Sequence, residues 1–260
     1  VDPDDPTKPA DGLIPYRPNA PFWSDGADKH RWLALPDGET ITVEDDGDWS
    51  LPTGAVLVKS FELGGKVIET RLFIHHEDGW AGYSYEWNDD QSDAVLLEAG
   101  KVETVEGPNG PQSWTYPSRG ECMQCHTEAA GFSLGLETAQ INGEHLYPST
   151  GRTANQLETL RSIGVLENAP TGEVDALDAF PDPFGNADTD RRARAYLHTN
   201  CSQCHRPEAA GVRNAFDVRY DTPLADSNLC DVEPSGVDLG SDAARRLVAG
   251  TPDDSLVYLR

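Results

Sequence analysis

Between Arg31 and Thr115 apolar and polar positions alternate in short runs rich in Val, Ile, Thr, Trp and Tyr, with Gly, Asp, Asn and Pro standing between the runs. A side-chain period of two is the signature of half-buried strands. The clearest unit is AVLVKSFEL-GG-KVIETRLFIHH, in which Gly64-Gly65 offers the positive φ angles of a two-residue hairpin turn. Continued outward from that turn, the register sets Phe61 opposite Ile68, Leu57 opposite Leu72 and Ala55 opposite Ile74; His76 extends this face and His75 the other. The next run, GWAGYSYEW, puts Tyr83, Tyr85 and Trp87 on one side, and aromatic alternation of this kind predicts core packing. About six such strands predict a small antiparallel β-sandwich-like unit.

The pattern changes near Pro117. Beyond it short helices are separated by long loops. NQLETLRSIGVL places Leu157, Leu160, Ile163 and Val165 or Leu166 at helical spacing. TDRRARAYLHTN opens on a capping Thr189 or Asp190 and gathers Ala193, Tyr196 and Leu197 on one face. SDAARRLVAG predicts a last amphipathic piece. Residues 1–20, rich in Pro and Asp, predict an extended arm lying on the surface. The expected class is therefore α+β: a β-rich domain with its arm over 1–116, then a loop-rich, mainly α-helical domain over 117–260.

Composition narrows the function classes. The 260 residues include 45 acidic and 20 basic side chains, a formal net charge of −25. Such a surface repels nucleic acid and anionic membranes, and it suits partners with basic docking surfaces. The longest apolar runs, such as Ala55–Val58 and Leu72–Ile74, are far too short to span a bilayer. The sequence opens on Val-Asp-Pro-Asp, without an initiator Met or a signal peptide, and reads as a mature product. No Gly-x-Ser-x-Gly, Walker or His-Glu-x-x-His motif is present.

The five cysteines change the picture most. Four of them form Cys122-Met-Gln-Cys125-His126 and Cys201-Ser-Gln-Cys204-His205. Two thiols three residues apart on one helical turn can each add to a vinyl group of the same haem, and the following His then lies under the iron as proximal ligand. A Cys₄ zinc site spanning the 79 residues from Cys122 to Cys201, or two redox disulfides, are the alternatives. Zinc gives no reason for His after both pairs, and thioredoxin-like redox motifs sit in a βαβ context that is missing here. Cys230 is the odd thiol, expected to be buried and free. Asn186, Asp188 and Asp190 alternate as calcium ligands could, but they lack the Gly and distal Glu of an EF-hand loop and read as a helix cap with solvated acids.

The stretch RARAYLHTNCSQCHRPEAAG resembles a c-type cytochrome module, and RLVAGTPDDSLVYLR is similar to a segment late in many small bacterial modules of that kind. With LIPYRPNAPFWSDGADKHRWLALP, ETRLFIHHEDGWAGYSYEWNDDQSDA and ECMQCHTEAAGFSLGLETAQIN, the chain resembles over nearly its whole length a family of secreted bacterial dihaem c-type cytochromes. The resemblance implies two covalently bound haems, a periplasmic or extracellular location, and single-electron transfer between a dehydrogenase or quinol-linked donor and an acceptor. Modules with that tail usually continue to a Met-Pro segment carrying a sixth iron ligand. Here the single Met, Met123, lies inside the first motif.

Either the chain is a fragment lacking that Met-bearing segment, or the sixth ligands are not Met; within this sequence the candidates are His, which would give lower potentials than His/Met haems. His198 shares a helix face with Arg194, Cys201 and His205 and could reach across to the first haem; packing at a haem edge is its other reading. His75 and His76 end a strand that could project toward a haem, with His76 favoured by its place beyond Leu72 and Ile74. His145, and His30 between Lys29 and Arg31, complete the set. Two other functions fit the same cofactors: a peroxidase-like haem enzyme with one open iron, and a self-assembling, haem-stacking subunit for long-range conduction.

Overall fold

The computed structural model describes residues 1–2, 4–210, 215–235 and 243–259. Its first half is built on one six-stranded antiparallel sheet in the order β1-β2-β5-β6-β7-β8. These strands are β1 (Ile14–Pro15), β2 (Asp28–Ala34), β5 (Val56–Leu63), β6 (Lys66–His76), β7 (Gly79–Trp87) and β8 (Ala94–Leu96), with β3 (Ile41–Val43) and β4 (Trp49–Ser50) paired beside it. β9 (Lys101–Gly107) and β10 (Gly110–Tyr116) form a separate hairpin. Trp114 and Tyr116 of that hairpin pack with Phe61 and Leu63 of β5. The expected sandwich is thus very unequal, a six-stranded sheet carrying a two-stranded ribbon.

The Gly64-Gly65 turn forms, and next to it Leu63 pairs with Lys66 as the sequence predicts. A bulge between Phe61 and Glu62 then moves the register by one residue, so that Leu57 faces Phe73 and Val58 faces Leu72. A one-residue shift exchanges the two faces of a strand. Phe73 and His75, not Leu72 and His76, therefore lie on the Leu57 side. Tyr83, Tyr85 and Trp87 fall on the opposite face, where each is only half-buried instead of packed in the core.

After Tyr116 come α1 (Arg119–Cys122), α2 (Thr138–Ile141), β11 (Glu144–Tyr147), β12 (Arg152–Asn155), α3 (Gln156–Ser162), β13 (Leu166–Glu167), α4 (Thr189–Cys201) and α5 (Leu256–Leu259). Three strands in this half were not expected. β11 and β12 make a hairpin, and β13 pairs in parallel with β3 across the two halves. In α3 Leu157 and Leu160 are buried while Ile163 is left exposed. α4 starts one residue before the expected caps: the Asp188 carboxylate accepts from Arg191 N at 3.0 Å, and Asp190 pairs with Arg194 at 2.8 Å. The Asn186–Asp190 alternation thus serves as a cap and a surface ion pair.

Residues 243–250 do not form the expected helix. Ala244 and Arg246 are buried, and backbone bridges join Cys230 to Leu247 and Arg245 to Ser255; burial at every second residue is an extended-chain pattern. Cys230, bridged to this segment through Leu247, lies exposed, a correction to the buried thiol, because its neighbour Leu229 takes the inward position.

One apolar cluster takes Leu33, Trp49, Leu57 and Phe73 from the first half and Leu136, Ile141, Leu157 and Leu160 from the second. The N-terminal arm is partly sunk: Tyr16 joins this cluster, and Ala20 is buried with Phe180 and Ala195. Gln156, itself buried, both accepts from Arg17 N at 2.7 Å and donates to Arg17 O at 2.9 Å, which satisfies the arm's backbone where strands are absent. Among the described residues no helix is long and apolar enough to cross a membrane.

Candidate functional site: two adjacent Cys-x-x-Cys-His turns

Both motifs fold as single helical turns. In the first, His126 N donates to Cys122 O at 3.1 Å; in the second, His205 N donates to Cys201 O at 2.9 Å. The first turn is launched by a capping box, in which the Ser118 hydroxyl and the Glu121 side chain bond each other's backbone N–H groups. α4 delivers the second, since it ends on Cys201. The two turns touch. The Cys204 thiol donates to Gln124 O at 3.6 Å, and the Thr127 hydroxyl donates to Gln203 O at 3.4 Å.

His126 is held as a metal-ligating imidazole should be. Its Nδ1 lies 2.6 Å from Phe132 O, and a carbonyl can only accept, so Nδ1 carries the proton and Nε2 keeps its lone pair. Burial pushes the ring down to about 4, so it stays neutral at pH 7. Its face packs on Phe73 of β6 with ring centroids 4.0 Å apart. Cys122 sits over β7 at Gly82, where a Cβ would come within 2.6 Å of the sulfur. An isolated Gly in an aromatic strand is a sequence signal of such close approach. Burial raises the thiols of Cys122 and Cys201.

His205 stacks on Phe216 at 3.9 Å and, with Cys201, lines a cavity of about 1130 Å³. That volume exceeds the ~300–1,000 Å³ of usual small-molecule sites. Its lining also includes Phe22, Trp23, Val218, Leu229 and Leu256. Ala193, Tyr196 and Leu197, the apolar face read from α4, do not enter the protein core; they line this cavity. The residues at both motifs fit a covalently held haem: paired thiols on a turn, a His beside them, and at the second an apolar space of suitable size. Among the described residues the motif cysteines form no disulfide, and no group of three or more His, Cys, Asp or Glu side chains is placed to hold a metal ion.

The remaining histidines differ in what their rings can offer. At His198 the Tyr220 N–H donates to Nδ1 at 2.9 Å, so Nε2 carries the proton and meets Glu137 Oε1 at 3.0 Å; both nitrogens are engaged. His75 bonds Leu51 O through Nδ1 at 2.9 Å and keeps the Nε2 lone pair. It stacks on Trp80 at 4.5 Å, and Trp80 stacks on Phe73 at 4.8 Å. His76, on the other face, meets Tyr83 Oη at 3.0 Å. His30 pairs with Glu62 at 2.8 Å. His145 buries an unpartnered Nε2 against Tyr147, and burial holds its pKa down.

The chain matches no protein-family model, no curated protein and no solved structure.

Proposed function

We propose that this protein is an extracytoplasmic dihaem c-type cytochrome that carries single electrons between a donor and an acceptor protein. The observation that carries the reading is the apolar cavity at Cys201 and His205, lined by an α4 face that has no core to enter. Thioether bonds from Cys122 and Cys125, and from Cys201 and Cys204, would hold the two haems, with His126 and His205 as proximal ligands. The haems supply the redox chemistry. The chain contributes ligand orientation, through Phe132 O on His126, and exclusion of water by the aromatic packing of Phe73 and Phe216. Contact between the two turns supports transfer from one haem to the other. The acidic surface suits basic redox partners.

The test is the denatured mass with visible spectra of the oxidised and dithionite-reduced protein. Two haem masses retained under denaturation, with low-spin bands, are expected. A colourless protein at its plain sequence mass overturns the reading.

One observation favours a second reading, a haem enzyme with an open iron. Among the described residues lining the large cavity, His205 is the only His, and no Met is present. Carbon monoxide binding to the reduced native protein at about one equivalent is expected on that reading; no binding removes it.

A further inference from the structure

Three cations face one another across the central sheet. Arg31 of β2 pairs with Lys59 of β5, and Lys59 pairs with Arg71 of β6, so all three side chains leave the same face. Like charges directly opposite are destabilising in a sheet. Only Arg71 has its compensation: the buried Glu69 carboxylate takes it at 2.7 and 2.8 Å and also accepts from Trp114 Nε1 at 3.0 Å. Glu86, on the same face, is committed to Lys101. Arg31 and Lys59 have no carboxylate within ion-pair distance among the described residues, in a chain with 45 acidic side chains. Lys59 instead lies over the rings of Phe61, at 4.8 Å, and Phe22, at 5.1 Å. Nearby Lys29 also lacks an acid and donates to Phe22 O at 2.7 Å. Burial depresses Lys59 and Arg31, and on Lys59 the neighbouring Arg31 and Arg71 add repulsion. An anion shared by these partly buried cations would offset both their burial and their mutual repulsion.

The position names the anion. The next row on the same face is Leu57, Phe73 and Gly82, and Phe73 and Gly82 are the residues that His126 and Cys122 cover. Two residues along a strand is roughly 7 Å. The cations therefore begin one pleat away from the first Cys-x-x-Cys-His turn, and the first haem's only formal side-chain charges are its two carboxylates. We infer that Lys59 and Arg31 form the carboxylate-binding site for the propionates of the haem attached at Cys122 and Cys125. The inference rests on the dihaem reading and adds the residues that orient that haem.

Lys59→Gln and Arg31→Gln, made in the full holoprotein, test this by resonance Raman spectroscopy and spectroelectrochemistry. Each is expected to shift one of the two haems' propionate-bending bands and to lower the potential of that haem alone. The haem at Cys201 serves as the internal reference. Lys59→Arg, which keeps the charge, should restore both. Unchanged bands and potentials in a Gln variant with two haems by mass and native far-UV dichroism overturn the inference and leave the dihaem reading standing. A wild-type band that moves on adding phosphate also overturns it, since the cations would then hold an exchangeable anion. If the wild-type protein carries no haem by mass, the dihaem reading itself fails, and the inference with it.

Discussion

Phe73 and His126 lie with ring centroids 4.0 Å apart and planes tilted by 33°, and this contact joins the central sheet to the first Cys-x-x-Cys-His turn. The same Phe73 stacks on Trp80 at 4.8 Å and is 6% exposed. Replacing it with Ala removes the ring from both partners. The expected cost is about 3–5 kcal/mol of stability, measured by denaturant unfolding, with a change in the spectrum of one haem on the dihaem reading. A loss under 1 kcal/mol would mean that the contact is incidental.

Gly82 is the position where sheet and thiol come closest. A Cβ there meets Cys122 Sγ at 2.6 Å and Cys122 Cβ at 2.8 Å, distances at which one of them must move. Gly82→Val should therefore displace Cys122 and, on the dihaem reading, give a chain retaining only the haem at Cys201. Mass spectrometry reads this directly, and a chain with both haems at full occupancy would refute the steric argument.

How far the sequence could be read is clearest around these two residues. The Cys-His motifs, the Gly64-Gly65 turn, the apolar stripe of α3 and the start of α4 rest on local spacing, and local spacing is visible in a sequence. Which face of β6 turns toward His126 rests on a bulge at Phe61/Glu62 that no residue type announces. Its consequence is large, since it moves Phe73 and His75 inward and Tyr83 outward. The cationic row has the same origin: Arg31, Lys59 and Arg71 are 28 and 12 residues apart in the chain and become neighbours only through strand pairing. The parallel pairing of β13 with β3 and the extended course of residues 243–250 depend likewise on distant partners. The apolar face of α4 was legible as a face, but sequence could not say that it lines a cavity.

The two strand-end histidines and His198 make separable predictions as sixth ligands. His75 holds a proton on Nδ1 for Leu51 O and presents Nε2 on the Phe73 side, whereas both nitrogens of His198 are taken. If the proposed haems are bound, His75→Ala should weaken the low-spin signature of one, and His198→Ala should leave both signatures in place while loosening the Tyr220 and Glu137 contacts. Electron paramagnetic resonance distinguishes the two. The opposite result would mean that His198 exchanges its partners for iron when the haem is bound.

Asp48 introduces a pH dependence in the acid range. Burial raises its carboxyl to about 6, helped by repulsion from Glu137 and Asp46, against 3.8 for the unshifted group. Below about pH 4 it is protonated in both folded and unfolded chains and contributes nothing. Between about 4 and 6 the folded state binds more protons than the unfolded one, so this group lowers stability as pH rises, with the full penalty reached above about 6. The side chain is 37% exposed, so screening limits the effect to about 1 kcal/mol or less. Asp48→Asn should remove this contribution, seen as a gain in stability at pH 7 that vanishes at pH 4. An equal change at both pH values would locate its effect in packing instead.

Charge gives the last prediction. With a net −25 on 260 residues, the field reaches well past the surface at low salt and is cut to about 10 Å at 0.1 M ionic strength. An attraction steered by that field raises encounter rates by about 10–10³-fold, and salt removes the gain. Electron exchange with a cationic donor should therefore slow by at least about tenfold between low and high ionic strength. An anionic donor should speed up over the same range, because salt screens its repulsion. Stopped-flow measurement with one donor of each sign makes the comparison within a single protein, where haem potentials are common to both arms. If the two donors respond to salt in the same direction, the acidic surface is not what selects the redox partner.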